Sequence, residues 1–262
     1  MSLKKFLIIL SFCLVCVVCA NAQALPYKSG ESLTYVINYK WGAVNTDVGE
    51  GVVNLKLDNG IYHAVVSGRT YKFYDIFFKV REHFESKFRE SDGRPIYFHR
   101  NTNEGKYKMI NTYHFNKDYT ISAKTKKNNY PVKDSLLKAN SNTYDLVSLF
   151  YKVRTFNFLE TPIGVPQPIS FAIDREIYNM SYIYFGEFVK KIPGLGTFKV
   201  FKFSVRLVAG EVFTGEDDMI VWVTADENKI PLQFESPIVV GKVFGRLIKF
   251  NNLKYPLSSK IK

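Results

Sequence analysis

The chain has 262 residues, a formal charge of +12, and 46% hydrophobic and 23% charged residues. These proportions exclude a disordered chain, a collagen-like chain and a multi-span membrane protein. The basic surplus suits anionic partners such as acidic headgroups or glycans, and its dispersal along the chain equally serves solubility.

The N-terminus carries an address. Lys4 and Lys5 precede an apolar run of 13 residues, Phe6 to Val18, broken only by Ser11. Ala20-Asn21-Ala22 then places small residues at −3 and −1 of a cut before Gln23. This is the three-part pattern of a secretory signal peptide over residues 1–22, and the run is too short to cross about 30 Å of hydrocarbon. Cys13, Cys16 and Cys19 follow Phe12, Val15 and Val18, which do not suit lipoprotein processing. All three cysteines leave with the leader, so the mature chain is expected to hold no disulfide, thiol nucleophile or iron–sulfur cluster. Export argues against nucleic acid as a partner, the mature chain is expected to have no transmembrane segment, and association with a membrane surface is compatible with its basic charge.

From Leu33 onward the sequence alternates with period two. Leu33, Tyr35, Ile37, Tyr39 and Trp41 share one face of a half-buried strand. Val53, Leu55 and Leu57 form another, followed by Asn59-Gly60, a strong hairpin signal because both turn residues accept positive φ. Gly49-Glu50-Gly51 predicts a bulge. Further strands follow around turns at 91–95 and 116–118, while Lys124, Lys126, Lys127 and Lys133 around Asn128-Asn129 predict a solvated loop. Near the centre Leu146, Leu149, Phe150 and Val153 recur at helical spacing, with Asn142 as the expected cap. A Pro-rich connector, 161–168, leads into a second strand-rich stretch in which Gly194-Leu195-Gly196 reads as a hairpin loop. The expectation is roughly a dozen strands. They form curved antiparallel sheets, an open half-barrel or β-roll, in one mainly-β unit over 23–262. The alternative is two lobes, 23–140 and 165–262, joined by a helix near 142–156.

Chemistry-bearing motifs are sparse. The histidines, His63, His83, His99 and His114, have no helical zinc spacing, and no Gly-x-Ser-x-Gly elbow is present. Glu216-Asp217-Asp218 lacks the spacing of a calcium loop and reads as a turn. No catalytic, cofactor-binding or metal-ligating set is assigned. Arg81, Glu82, Arg100 and Arg154 are the expected polar cluster. His83 and Glu85, on the Arg81 face, form an acid–base pair or a plain surface stripe. The 16% aromatic content includes Tyr71, Phe73, Tyr74 and Phe77, and a second group with Tyr182 and Tyr184. These six are the expected aromatic ligand surface, the alternative being an aromatic core. Asp134-Ser135-Leu136 has the form of an O-glycosylation sequon, Asp-Ser/Thr-apolar.

The order of motifs resembles the bacterial family known as domain of unknown function 3108. The pieces are Gly30-Glu31-x-Leu33-x-Tyr35, Phe78-x-Val80-Arg81-Glu82-x-Phe84-Glu85-Ser86, Asp145-Leu146-x-Ser148-x-Phe150-Tyr151-x-x-Arg154, Phe185-Gly186-Glu187 and Val221-Trp222-Val223-x-x-Asp226. Pro95, Phe98, Arg100, Glu104-Gly105, Tyr107, Gly210, Ile230-Pro231 and Gly241 fill the intervals, with Glu82 standing where the family tends to have Asp. The resemblance implies an exported, envelope-facing, mainly-β protein, similar to the open half-barrel carriers of the Lol type, and brings no catalytic residues with it. Together these signs predict a non-enzymatic envelope protein holding an amphiphilic ligand, lipid or glycan, on a concave aromatic-rich sheet. The alternatives are a glycan-directed hydrolase using Glu82, His83, Glu85 or Asp226, and a scaffold within an envelope assembly.

Overall fold

A computed structural model describes residues 25–206, 218–238 and 240–262; the expected leader, 1–22, with Cys13, Cys16 and Cys19, and Gly210, Glu216 and Asp217 lie outside these. Among the described residues fifteen strands form one sheet that does not close, in the order β8-β7-β6-β5-β4-β3-β2-β1-β15-β14-β13-β12-β11-β10-β9. They are β1 Ser32–Trp41, β2 Val44–Asp58, β3 Ile61–Thr70, β4 Val80–Arg89, β5 Pro95–Glu104, β6 Tyr107–Phe115, β7 Thr120–Lys127, β8 Lys133–Lys138, β9 Thr143–Tyr144, β10 Pro166–Ile173, β11 Glu176–Ile192, β12 Gly196–Arg206, β13 Asp218–Thr224, β14 Pro231–Pro237 and β15 Lys242–Asn251. Every described pairing is antiparallel except that of β9 with β10. The halves are continuous in hydrogen bonding, because β1 pairs with both β2 and β15.

Local chemistry accounts for the joints. Asn59 and Gly60 adopt φ of 47° and 74° and close the β2–β3 hairpin. The β1–β2 register shifts between Ile37 and Asn38, so the expected bulge forms beside Gly49. The lysine-rich stretch is a hairpin rather than a loop: Lys124 and Lys126 are exposed on β7, and Lys133 opens β8. Lysines on an edge strand discourage pairing with another chain, so the same composition serves either conformation. The predicted sequon lies on this edge strand, with Ser135 half-buried and Leu136 exposed. Pro166 and Pro168 belong to β10, where β9 leaves most of one edge unpaired and no donor is missed.

The single α-helix among the described residues, α1 Leu146–Val153, is shorter than expected and starts later. Asp145, not Asn142, caps it: its carboxylate accepts from the Val147 and Ser148 amides at 2.9 Å. Ser148 Oγ accepts from the Asp145 amide, completing a capping box. The other Asp145 oxygen accepts from Ser86 Oγ on β4 at 2.8 Å, so sheet packing selects which of two good capping residues is used. The helix fills the inside of the curled sheet. Val147 and Tyr151 join Tyr27, Tyr62 and Phe88 in one apolar cluster. Leu149, Val153, Phe156 and Phe158 pack in a second, with Tyr182, Tyr184, Phe201 and Phe203. The expected stripe is therefore half-buried, and the deepest helical face carries Val147, Ser148 and Tyr151. No helix among the described residues is long and apolar enough to cross a membrane.

Candidate functional site

The sheet is best followed from β4, where neighbouring residues alternate between its two faces. On the outer face Arg81, His83 and Glu85 stand in line. Their register partners on β3 are Arg69, Ser67 and Val65, and on β5 Asn103, Asn101 and His99. These strands and β2 enclose an open groove of about 480 Å³ lined by Glu50, Val52, Ser67, Arg69, Arg81, His83, Asn101 and Asn103, with Gly68 and Glu82 bordering it. A smaller groove of about 280 Å³ lies near Asn38, Gln233 and Arg246.

Charges around the larger groove are paired. Arg69 donates to Glu50 Oε1 from Nε at 2.9 Å and from Nη2 at 2.6 Å. Arg81 donates to both Asp75 oxygens, and together with Thr70 holds the Asp75 carboxyl down at about 2. Glu85 lies 2.8 Å from His83 Nε2 and 3.3 Å from His63 Nε2, and the His83 contact, followed by that of His63, holds its carboxyl below the ordinary range against partial burial. Among the described residues no group of three or more His, Cys, Asp or Glu side chains has the geometry to hold a metal ion. The groove thus offers a neutralised, hydrogen-bonding surface, with the amides of Asn101 and Asn103 beside the ion pairs on β5, where Asn103 donates to Asn101 at 3.0 Å.

The opposite, inner face carries different chemistry. The Glu82 carboxyl accepts from Thr102 Oγ1 at 2.6 Å, and Arg100 donates to the same Thr102 oxygen and to Asp174 at 3.1 Å. Asp174 sits in the β10–β11 turn, so this chain of contacts ties the first-half sheet to the second. Burial pushes the Glu82 carboxyl up to about 7, with the Thr102 hydrogen bond opposing the rise. Glu82 Oε1 and, two strands away on β6, Asn111 Oδ1 are buried without a hydrogen-bond partner.

The four residues expected as one polar cluster therefore occupy three places. Glu82 and Arg100 meet through Thr102, while Arg81 faces the other way. Arg154 lies at the end of α1, fully buried, donating to both oxygens of Glu31 and to the Asn228 and Pro26 carbonyls. Its guanidinium also packs over the Tyr27 and Tyr151 rings, at 5.3 and 5.6 Å. The signal for this site was present: Arg154 continues the Val147–Tyr151 face at helical spacing, a charge on a buried stripe. Glu31, 123 residues away, has no local signal beyond its place in the Gly30-Glu31 motif.

The aromatic expectation divides similarly. Tyr182 and Tyr184 are core residues, 7% and 4% exposed, because the second-half sheet closes over Phe156 and Phe158. Tyr71 and Tyr74 are half-buried. Phe73 and Phe77 are exposed on the β3–β4 loop, beside a 3-10 turn at Tyr74–Ile76. Val147, Tyr151, Phe156 and Phe158 pack against the inner face together with Tyr182 and Tyr184, so these two tyrosines line a core and not an open trough. The hydrolase candidates are dispersed as well. Glu82 is inside and His83 and Glu85 are outside. Asp226 sits beyond β13, accepting from Thr224, Ser259 and the Asn228 amide.

Comparison with known proteins supports the fold. The chain is similar to a β-barrel-like protein of the domain of unknown function DUF1849 from Brucella abortus, with a TM-score of 0.59 at 8% identity, over 86% of this chain and 98% of that one. A candidate exported protein with a YmcC-like fold from Bacteroides fragilis aligns over 88% of this chain and all of its own, with a TM-score of 0.40 at 10% identity. No curated protein matches the sequence. The model of a family described as protein of unknown function, DUF3108, matches residues 34–248, and the chain belongs to that family.

Proposed function

We propose that this is an exported, non-catalytic protein that binds the polar headgroup of a glycan-bearing amphiphile in the outer groove of β2–β5. The observation that carries the reading is the groove itself: about 480 Å³, open, and lined by amide, hydroxyl and guanidinium groups. Its charges compensate one another in Arg69–Glu50 and Arg81–Asp75. A neutral polyol suits such a surface better than a strongly charged ion does, because it engages hydrogen bonds without breaking existing pairs. Binding rather than turnover is favoured because His63 and His83 both spend a ring nitrogen on Glu85, and the elevated Glu82 carboxyl lies through the sheet from them. The leader-like residues 1–22 support the envelope as the place of action. Packing of α1 and the Phe156–Phe158 segment against the inner face supports the outer face over the concave one expected to hold the ligand.

Native mass spectrometry of protein purified from its own envelope tests this. The expected result is a bound species with a saccharide component that Asn101→Leu with Asn103→Leu abolishes while the fold is kept. Protein that repeatedly emerges without a bound mass, or with one indifferent to these substitutions, overturns it.

A further inference from the structure

The antiparallel registers bring several turns to one end of the sheet. Trp41 pairs with Val44 at the β1–β2 turn, Lys40 with Lys242 below the β14–β15 turn, and Val80 with Glu104 below the β3–β4 loop and the β5–β6 turn. This end is apolar to a degree unusual for turns. On the β3–β4 loop Phe73, Ile76, Phe77 and Phe78 are 65%, 79%, 75% and 55% exposed. Trp41, Val44 and Val240 are also exposed.

Contacts join them into one arc. Trp41 lies against Gly241, where an added Cβ would stand 3.0 Å from its own Cβ, and Tyr39 donates to the Val240 carbonyl at 3.0 Å. Tyr74 and Thr46 share a hydrogen bond that fastens the loop to β2. The Phe78 ring covers Gly105 in the β5–β6 turn. Exposed lysines fringe the same arc: Lys40, Lys72, Lys79, Lys106 and Lys242. The loop's own acid, Asp75, is neutralised by Arg81.

Apolar and aromatic side chains projecting from turns, ringed by ammonium groups, match the layering of a bilayer surface. The rings reach the acyl boundary while the lysines stay level with acidic headgroups. We infer that this end of the sheet is a docking tip that inserts shallowly into an anionic lipid surface. Charge complementarity selects the occupant: a neutral apolar partner would leave the lysine fringe without counter-charges, whereas an anionic leaflet supplies them. The inference stands apart from the groove and from whatever binds there.

Co-sedimentation with vesicles of phosphatidylcholine alone, and of phosphatidylcholine with phosphatidylglycerol, tests it. Binding is expected to the second, weaker to the first, and reduced by high salt. Ile76→Ser with Phe77→Asp, both at highly exposed positions, is expected to weaken binding about tenfold or more. Val189→Ser, equally solvent-facing but near the opposite end of β11, should leave it unchanged. In Trp222→Phe protein the remaining Trp41 should shift its emission to the blue on vesicle binding. Absence of binding to the acidic vesicles overturns the inference, as does binding without a Trp41 shift or equal loss in the two variants. A change from dimer to monomer on Phe77 substitution, without vesicle binding, would assign the tip to a second copy of the chain and overturn it too.

Discussion

Two arginine–glutamate contacts separate the interior of this protein from its outer face. Arg154 and Glu31 are both fully buried, and the guanidinium also spans the Asn228 and Pro26 carbonyls, tying together the N-terminal segment, the end of α1 and the β13–β14 turn. Arg69 and Glu50 face each other across β2 and β3 with side chains 65% and 26% exposed. The functional groups are the same, and solvent makes the difference. Inside, each partner exists to keep the other from being an uncompensated charge. Outside, water and salt screen the pair, leaving its atoms available to a ligand at little cost to the fold.

The largest test of that contrast is Arg154→Met, which strands Glu31 and should lower unfolding free energy by about 3–5 kcal/mol in urea titration. Adding Glu31→Gln should restore part of the loss, because the charge goes with its partner. Asp145→Ala comes next. It removes a helix cap and the acceptor for Ser86 and Ser148, for an expected loss of about 2–3 kcal/mol. Asp145→Asn, which still caps, should cost less.

A third test uses pH. The folded-state pKa of Glu82 is raised to about 7, so the native protein holds that proton where an unfolded chain has lost it. The resulting stabilisation is complete below the ordinary glutamate range and is lost as pH rises towards 7. Glu82→Gln should flatten this part of the profile and gain about 1–2 kcal/mol at pH 8 after allowing for partial exposure, read as Tm against pH. The smallest stability effect belongs to Arg69→Ala, under about 1 kcal/mol. If that variant unfolds as readily as Arg154→Met, the distinction between the two regions fails.

Much of the architecture was legible because strand periodicity is a local property. Asn59-Gly60, the Gly49 bulge and the Gly194–Gly196 turn each follow from a few adjacent residues. Adjacency also forbade part of the expected polar cluster, since Arg81 and Glu82 are neighbours in a strand and must point to opposite faces. The cap of α1 was ambiguous because Asn142 and Asp145 are both good capping residues, and only Ser86, on another strand, decides between them. Tyr182 and Tyr184 could be assigned to one face, but nothing near them in sequence says that Phe156 and Phe158 cover it.

Composition and alternation alone determined a strand-rich chain with a short central helix, because side-chain period and turn chemistry act over a few residues. Which surface is filled and which is open was decided by tertiary structure. The curl of the sheet around α1 buries one face of the same alternating pattern and leaves the other to water, and burial of that kind depends on residues more than a hundred positions apart.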